Sequence, residues 1–230
     1  MLTIIRSVLF KICVVFNLGD TNMYLTVMNR FYEIKDVGSR EFLAAMDIYR
    51  EAFPDYERHA QQVIEDRIVS GRELLFVAVD ENNSVGLMAL VWDLKGTDFI
   101  VLDYLAVASS TRGQGIGGQF MEFINQWVLE HNKILLFEIE HPDYGTNTEQ
   151  RLKRLVFYER YGAKKIEKLI YYLPNLAEGA PKEMLLMTIP PVKISAELLK
   201  QAVGEIYLHL YGLNEEHDLV KRFNQQIGGF

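Results

Sequence analysis

Hydrophobic positions in this chain recur with two periods, and the switches between them mark out its elements. Residues 31–37 read as a strand, after which Ser39 offers an N-cap to a helix whose apolar positions Phe42, Leu43, Met46, Ile48 and Tyr49 recur at helical spacing. Pro54 stops that helix, and a second one is expected over 57–70, closed by Gly71. Two continuous apolar runs, 74–79 and 85–92, flank the polar stretch Asp80-Glu81-Asn82-Asn83, the pattern of an antiparallel hairpin. Residues 99–107 form a further strand. A glycine-rich loop follows at once, and then a helix to about Asn132 with Phe120, Met121, Ile124, Trp127 and Val128 on its apolar face. A strand over 133–139, a helix over 149–161 stopped at Gly162, and strands over 164–173 and 184–189 complete the series. Beyond Pro190-Pro191 a helix over about 195–211 carries one apolar stripe, Leu198, Leu199, Val203, Ile206 and Leu210. The stripe reads as a cap on the core in preference to a partner-binding face, and a charged tail runs on to Phe230.

This order of elements is mixed α/β, of the α+β kind, and does not alternate as a doubly wound parallel sheet requires. Three segments are expected: an extension over 1–27, a main domain over 28–190 and a helical extension over 191–230. The apolar stretch 8–18 follows Arg6 and is broken by Lys11. It is too short and too interrupted to span a membrane, and no small-x-small cleavage site follows it. It is read as a start placed upstream of Met23 or Met28, with a short amphipathic or disordered extension as the second reading.

Composition narrows the chemistry. With 230 residues, 49% apolar and 24% charged, the chain can bury one sizeable core with an appendage. A net charge of -7 argues against nucleic acid as a partner, because phosphate neutralisation needs an excess of Lys and Arg. The single cysteine, Cys13, excludes an internal disulfide and suits the reducing cytoplasm. His59, His131, His141, His209 and His217 lack metal-ligand spacing, so no metal is expected.

The informative segment is Ser109-Ser110-Thr111-Arg112-Gly113-Gln114-Gly115-Ile116-Gly117-Gly118, between a strand and a helix. A glycine turn opening a helix leaves backbone N–H groups unpaired at the positive end of the helix dipole, which suits a phosphate. A Walker loop is excluded, since Gly-Lys-Ser/Thr is missing at the helix start. Gly113, Gly115 and Gly118 satisfy the dinucleotide spacing, but the loop follows an antiparallel hairpin and not the first strand of a parallel unit.

The run Leu105-Ala106-Val107, four residues, then Arg112-Gly113-Gln114-Gly115-Ile116-Gly117 resembles the acetyl-CoA motif of the GNAT N-acetyltransferase superfamily. A second family element, aromatic-Tyr-x-x-x-Gly followed by an aromatic or Ala, is met by the segment from Phe157 through Tyr158 and Gly162 to Ala163. The resemblance covers about 31–189 and implies a mostly antiparallel central sheet of about six or seven strands flanked by helices. It further implies acetyl-CoA as acyl donor and a primary amine, of a small molecule or a protein, as acceptor, attacked directly in a ternary complex. The backbone of Leu105, Ala106 and Val107 would pair with the pantetheine arm, Arg112, Gly113, Gln114, Gly115, Ile116, Gly117 and Gly118 would hold the pyrophosphate, and Tyr158 would be the general acid. Two departures stand out: Ser109 replaces a frequent proline, and Arg151 and Arg154 occupy a helix where Asn and a small residue are usual. These arginines are open to three readings: contact with the cofactor's phosphates, contact with an acidic substrate, or solvation.

For the base, strand alternation places Val101, Asp103, Leu105 and Val107 on one face, which makes Asp103 a carboxylate in an apolar strand. Glu138 and Glu140 share a face of the next strand and are rivals, as is a water relay. Tyr56, Trp92, Tyr171 and Tyr172 are candidates to line an acceptor pocket. A silent acyl-CoA-binding module is the alternative to an enzyme; a homodimer is left open and no membrane partner is expected.

Overall fold

The computed structural model describes residues 29–143, 148–174 and 182–227. The extension expected over 1–27 lies outside them. Along the chain the elements are β1 (Arg30–Ile34), α1 (Arg40–Ala52), α2 (Gln61–Val69), β2 (Glu73–Val79), β3 (Val85–Asp93), β4 (Phe99–Val107), α3 (Ile116–Glu130) and β5 (Ile134–Glu140). They continue with α4 (Thr148–Arg160), β6 (Lys164–Lys165), β7 (Tyr171–Leu173), β8 (Lys182–Ile189), α5 (Ala196–His209) and α6 (Asp218–Ile227). The strands form one 8-stranded sheet in the order β1-β2-β3-β4-β5-β8-β6, with β7 also paired to β8. Every pairing is antiparallel except β4 with β5.

Local chemistry explains most boundaries. Ser39 Oγ accepts from Phe42 N at 3.2 Å and caps α1. Gly71, at φ 67°, takes the left-handed conformation that ends α2. The single helix expected over 57–70 is divided, because the chain after Pro54 first makes a 3-10 turn over Asp55–Glu57. The single strand expected over 164–173 is broken into β6 and β7 by a turn with Lys168 at φ 60°, although both halves pair with β8. The charged tail contains α6, whose buried residues Leu219, Val220, Phe223 and Ile227 recur at helical spacing among Asp218, Lys221 and Arg222.

One face of the sheet is covered by α3, with Phe120, Met121, Ile124 and Val128 packed on Phe76, Ala89, Ile100 and Leu102. The other face carries two separate apolar clusters. The helices α1 and α2 cover Leu75, Val77, Met88, Leu90 and Tyr104, while α5 and α6 cover Trp92, Phe99, Val101, Leu136 and Leu186. The helices after Pro190 therefore share a core with the sheet, and the apolar stripe of α5 is spent inside the molecule. Between the two clusters runs a seam, and the polar residues described next collect there.

The β3–β4 ladder contains a bulge. Leu90 pairs with Tyr104 but Val91 pairs with Leu102, which leaves Asp103 as the extra residue. Strict alternation is broken at that point. Leu105 and Val107 consequently pack with the α3 face, whereas Val101 lies on the opposite one. The expectation that Val101, Asp103, Leu105 and Val107 share a face is thus corrected by the bulge.

Candidate active site

The parallel ladder between β4 and β5 is short. It pairs Phe99 with Ile134 and ends at Leu102 with Phe137, although β4 continues to Val107 and β5 to Glu140. Past that rung the strands diverge. On its other side β4 stays paired to β3, Leu105 with Ala89 and Val107 with Leu87, so alternate peptide groups beyond Leu102 face a gap between strands. An extended ligand with amide groups can pair there as a strand would.

The glycine loop lies at the end of β4. Thr111 Oγ1 donates to Gly86 O at 2.9 Å and ties the loop to β3. Gly86 permits this approach, since a Cβ there would lie 3.0 Å from Ile116 Cδ1. Gly113 and Gly115 sit at φ 80° and 79°, a region that costs other L-residues strain. Gly115 is the N-cap of α3 and provides no side-chain cap. The first helical bonds are Gly118 N and Gln119 N to Gly115 O, so the N–H groups of Ile116 and Gly117 precede them. No acidic residue stands in the first turn of α3. The loop therefore has the geometry of an anion cradle. Gly118 serves packing instead, because a Cβ there would collide with the Tyr161 hydroxyl and glycine lets α3 close against the end of α4. Gln114 is exposed and donates to Ser110 O at 3.3 Å. Arg112 reaches away from the amides, with Nε on Val107 O at 3.2 Å and Nη2 3.6 Å from Glu51 of α1.

Asp103 and Glu138 are the first residues beyond the last β4–β5 rung, one on each strand. The carboxylate of Glu138 is held by two hydroxyls: Tyr171 donates to Oε1, and Tyr211 donates to Oε2 at 2.7 Å. Burial raises the Glu138 pKa above the ordinary value, and the two hydroxyls oppose that rise. Asp103 Oδ2 is sealed from solvent without a hydrogen-bond partner. Burial pushes its pKa well above the usual carboxylate range, and the neighbouring Glu73 charge adds to the effect. Glu73, 1% exposed, has neither carboxylate oxygen hydrogen-bonded, and burial carries its pKa to about 7 against the opposing charge of Arg67.

Tyr158, on α4, packs its ring 4.7 Å from that of Phe137, the residue at the end of the β4–β5 ladder. Burial raises its pKa and the nearby Arg154 opposes this, so the phenol stays protonated and able to donate. Arg151 and Arg154 both turn to Glu140: Arg151 Nε lies 3.4 Å and Arg154 Nη1 3.3 Å from Oε2. That ion triad commits Glu140 to α4, whereas the partners of Glu138 are tyrosines.

Of the aromatic residues expected around an acceptor, Tyr171 reaches Glu138. Trp92 lies under the Arg67 guanidinium, 4.7 Å from its centroid. Tyr172 lies under Arg222, and the Tyr56 side chain is outside the described residues. Sequence reading missed Glu73, Arg67 and Tyr211. A carboxylate opening the apolar run 74–79 was the available signal for the first, and Arg67 beside the buried Ile68 for the second. Tyr211 joins the site only because α5 folds back, which no local pattern announces. Among the described residues no group of three or more His, Cys, Asp or Glu is placed to hold a metal ion. No helix there is long and apolar enough to cross a membrane.

Comparison with known proteins agrees with this fold. Residues 71–162 match the family model "Acetyltransferase (GNAT) domain". The Bacillus subtilis (strain 168) protein named "Putative acetyltransferase YjbC" is 31% identical over 119 residues. That match takes in 51% of this chain and spans 58% of the relative's length. A Bacteroides thetaiotaomicron structure named "Putative acetyltransferase from GNAT family" superposes with a TM-score of 0.66 at 21% identity, over 80% of this chain and 99% of its own. A Bacillus subtilis acetyltransferase in complex with CoA superposes with a TM-score of 0.50 at 10% identity, over 72% of this chain and 100% of its own.

Proposed function

We propose, from the match of residues 71–162 to the GNAT acetyltransferase domain model, that the protein is an N-acetyltransferase that moves an acetyl group from acetyl-CoA to a primary amine. The observation that carries the reading is the divergence of β4 and β5 beyond Leu102 and Phe137, with Asp103 and Glu138 on the two sides of its apex. The pantetheine arm pairs with the free edge of Leu105, Ala106 and Val107. The amides of Gly113, Gly115, Ile116 and Gly117 hold the pyrophosphate at the start of α3, and Gln114 borders it. Arg112 joins them by releasing Glu51, an exposed ion pair worth at most about 1 kcal/mol. Gly118 supports the loop through its packing on Tyr161.

In the transfer the amine nitrogen attacks the thioester carbonyl carbon, forming the C–N bond while the C–S bond breaks. Glu138, whose charge is stabilised by Tyr171 and Tyr211, takes the proton from the amine directly or through a water. A backbone N–H on the free edge of β4 meets the developing oxyanion. Tyr158 gives its proton to the departing thiolate, so that free CoA leaves as the thiol. Asp103 holds the incoming nitrogen from the other strand. The alternative, a silent acyl-CoA-binding module, leaves these buried donors and acceptors without a role. Thiol release from acetyl-CoA in the presence of amines, with Tyr158→Phe alongside, separates the two: the enzyme reading predicts amine-dependent release that the variant slows. A silent module predicts binding with no release.

A further inference from the structure

Strand β7 has three residues and lies at an edge, paired on one side with β8 and with no strand on the other among the described residues. So short an edge strand does not hold its own position, and the turn before it, with Lys168 at φ 60°, separates it from β6. Yet β7 carries Tyr171, whose hydroxyl donates to the Glu138 carboxylate. What fixes it comes from the C-terminal helices, residue by residue. Gln226 of α6 turns its side-chain amide on Ile170. Ile170 N donates to Gln226 Oε1 at 3.0 Å and Ile170 O accepts from Gln226 Nε2, the reciprocal pair of bonds that a neighbouring strand would supply. The Tyr171 ring is stacked on Tyr207 of α5, with centroids 5.4 Å apart at 19°, and meets the Phe223 ring of α6 edge-on at 6.3 Å and 90°. Tyr172 O accepts from the Tyr207 hydroxyl at 2.9 Å, and the Arg222 guanidinium lies 4.8 Å from the centroid of the Tyr172 ring.

Each residue from Ile170 to Tyr172 is thus gripped from α5 or α6, and every gripping group lies beyond residue 162, where the match to the family model ends. Ile170 adjoins Tyr171 in the chain, so a shift of its backbone is passed to the Tyr171 hydroxyl, and a hydrogen bond tolerates only a small displacement. We propose that Gln226 is a positioning residue for the base: by fixing the open edge of β7 at Ile170 it keeps the Tyr171 hydroxyl on Glu138, and α6 clamps the active site from outside the acetyltransferase core. Releasing the clamp weakens a hydrogen bond to the charged form of Glu138 and so favours its protonated form. The titratable groups facing Glu138 are Asp103 of β4, Tyr171 of β7, Tyr207 of α5 and Tyr211 just after it. Of these, Tyr171 is the one that β7 carries. The placement of the hydroxyl follows from geometry alone, whereas its consequence for rate rests on the acetyltransferase reading with Glu138 as base.

The test replaces Gln226 by leucine, which keeps the bulk and removes both bonds, with Gln225→Leu at the exposed neighbouring position as the control. Two readouts are taken on the full chain. One is the Glu138 carboxyl titration in the free protein by carbon NMR, assigned with Glu138→Gln. The other is the pH profile of kcat/KM for CoA release from acetyl-CoA with n-butylamine as the probe acceptor. Gln226→Leu raises the Glu138 midpoint, and with it the acid limb of the rate profile, by about half a pH unit or more, a fraction of the roughly one to two units that losing a whole hydrogen bond to a charged group gives. The acetyl-CoA Kd stays within about twofold, because the β4 edge and the glycine loop are distant and untouched. Tyr171→Phe raises the midpoint further, and Gln226→Leu added to it moves the midpoint no more, a coupling that a role in general stability would not produce. If Gln226→Leu folds poorly, Tyr207→Phe makes the same comparison, since it keeps the ring and removes the bond to Tyr172 O. A Glu138 midpoint that these variants leave at the wild-type value, or that Gln225→Leu moves equally, overturns the proposal. A midpoint that moves while the rate profile stays still leaves the clamp standing and removes Glu138 as the base.

Discussion

Gly115 allows the anion cradle to be tested apart from packing. Its φ of 79° places it in the left-handed region, yet a Cβ added there meets nothing within 4 Å. Alanine at this position therefore introduces backbone strain and no collision, a cost of about 1–2 kcal/mol. For a chain of this size that lowers Tm by about 2–8 °C. If the strain is relieved by rotating the peptide, the Ile116 N–H turns away from the pyrophosphate, and the loss of one charge-assisted hydrogen bond lowers acetyl-CoA affinity by roughly tenfold to a hundredfold. Asparagine tolerates the left-handed region better and should restore part of both losses. Glutamate adds a carboxylate at the positive end of α3, and its repulsion of the phosphates costs at least about 1 kcal/mol more even at the dielectric constant of water. Thermal unfolding and calorimetry of the three variants give the series. The order for affinity is wild type, Asn, Ala, Glu. A Glu variant that is folded and binds acetyl-CoA as the wild type does would refute the cradle, whatever its Tm.

Other substitutions probe the chemistry and the packing. Tyr158→Phe removes a general acid and should lower kcat by about a hundredfold or more while the acetyl-CoA Kd stays within about twofold; an unchanged kcat in steady-state assays removes Tyr158 from that role. Tyr211→Phe takes one hydroxyl from Glu138, so the carboxylate becomes harder to ionise and the acid limb of the kcat/KM profile moves to higher pH, an unmoved limb contradicting Glu138 as the base. Gly118→Ala forces Tyr161 aside and should cost about 1–3 kcal/mol in chemical denaturation, in contrast to the strain-only Gly115→Ala. Glu73 has its folded pKa raised to about 7, so the native state binds the extra proton and loses stability as pH rises from the unfolded value near 4.5 through 7. Glu73→Gln should abolish a pH-dependent loss of about 3 kcal/mol across that window, and denaturation curves with parallel pH dependence for both proteins would contradict it.

Much of this architecture is legible in the sequence because its signals are local. Ser39, Gly71 and the polar turn at 80–83 set boundaries that the structure keeps, and β4 occupies the expected residues 99–107. The glycine loop is likewise readable, since a strand, a left-handed glycine pair and a helix start are adjacent in the chain. What the sequence hides is non-local. The bulge at Asp103 depends on how β4 registers with β3, and alternation alone assigns Leu105 to the wrong face. Arg151 and Arg154 look available for phosphate until Glu140, on another element, is seen to hold both. The seam is the clearest case, for Glu73, Arg67, Asp103, Glu138 and Tyr211 come from five separate segments. They meet because two helical layers share one face of the sheet without merging.

The most direct test of the central claim is calorimetric titration of the purified full chain with acetyl-CoA, with CoA and NAD as controls. Saturable one-site binding of acetyl-CoA and CoA, with NAD silent, is the predicted result. Binding of NAD in preference to CoA, or of neither, would contradict the assignment of the β4–β5 gap and the loop at 112–118 to an acyl-CoA donor.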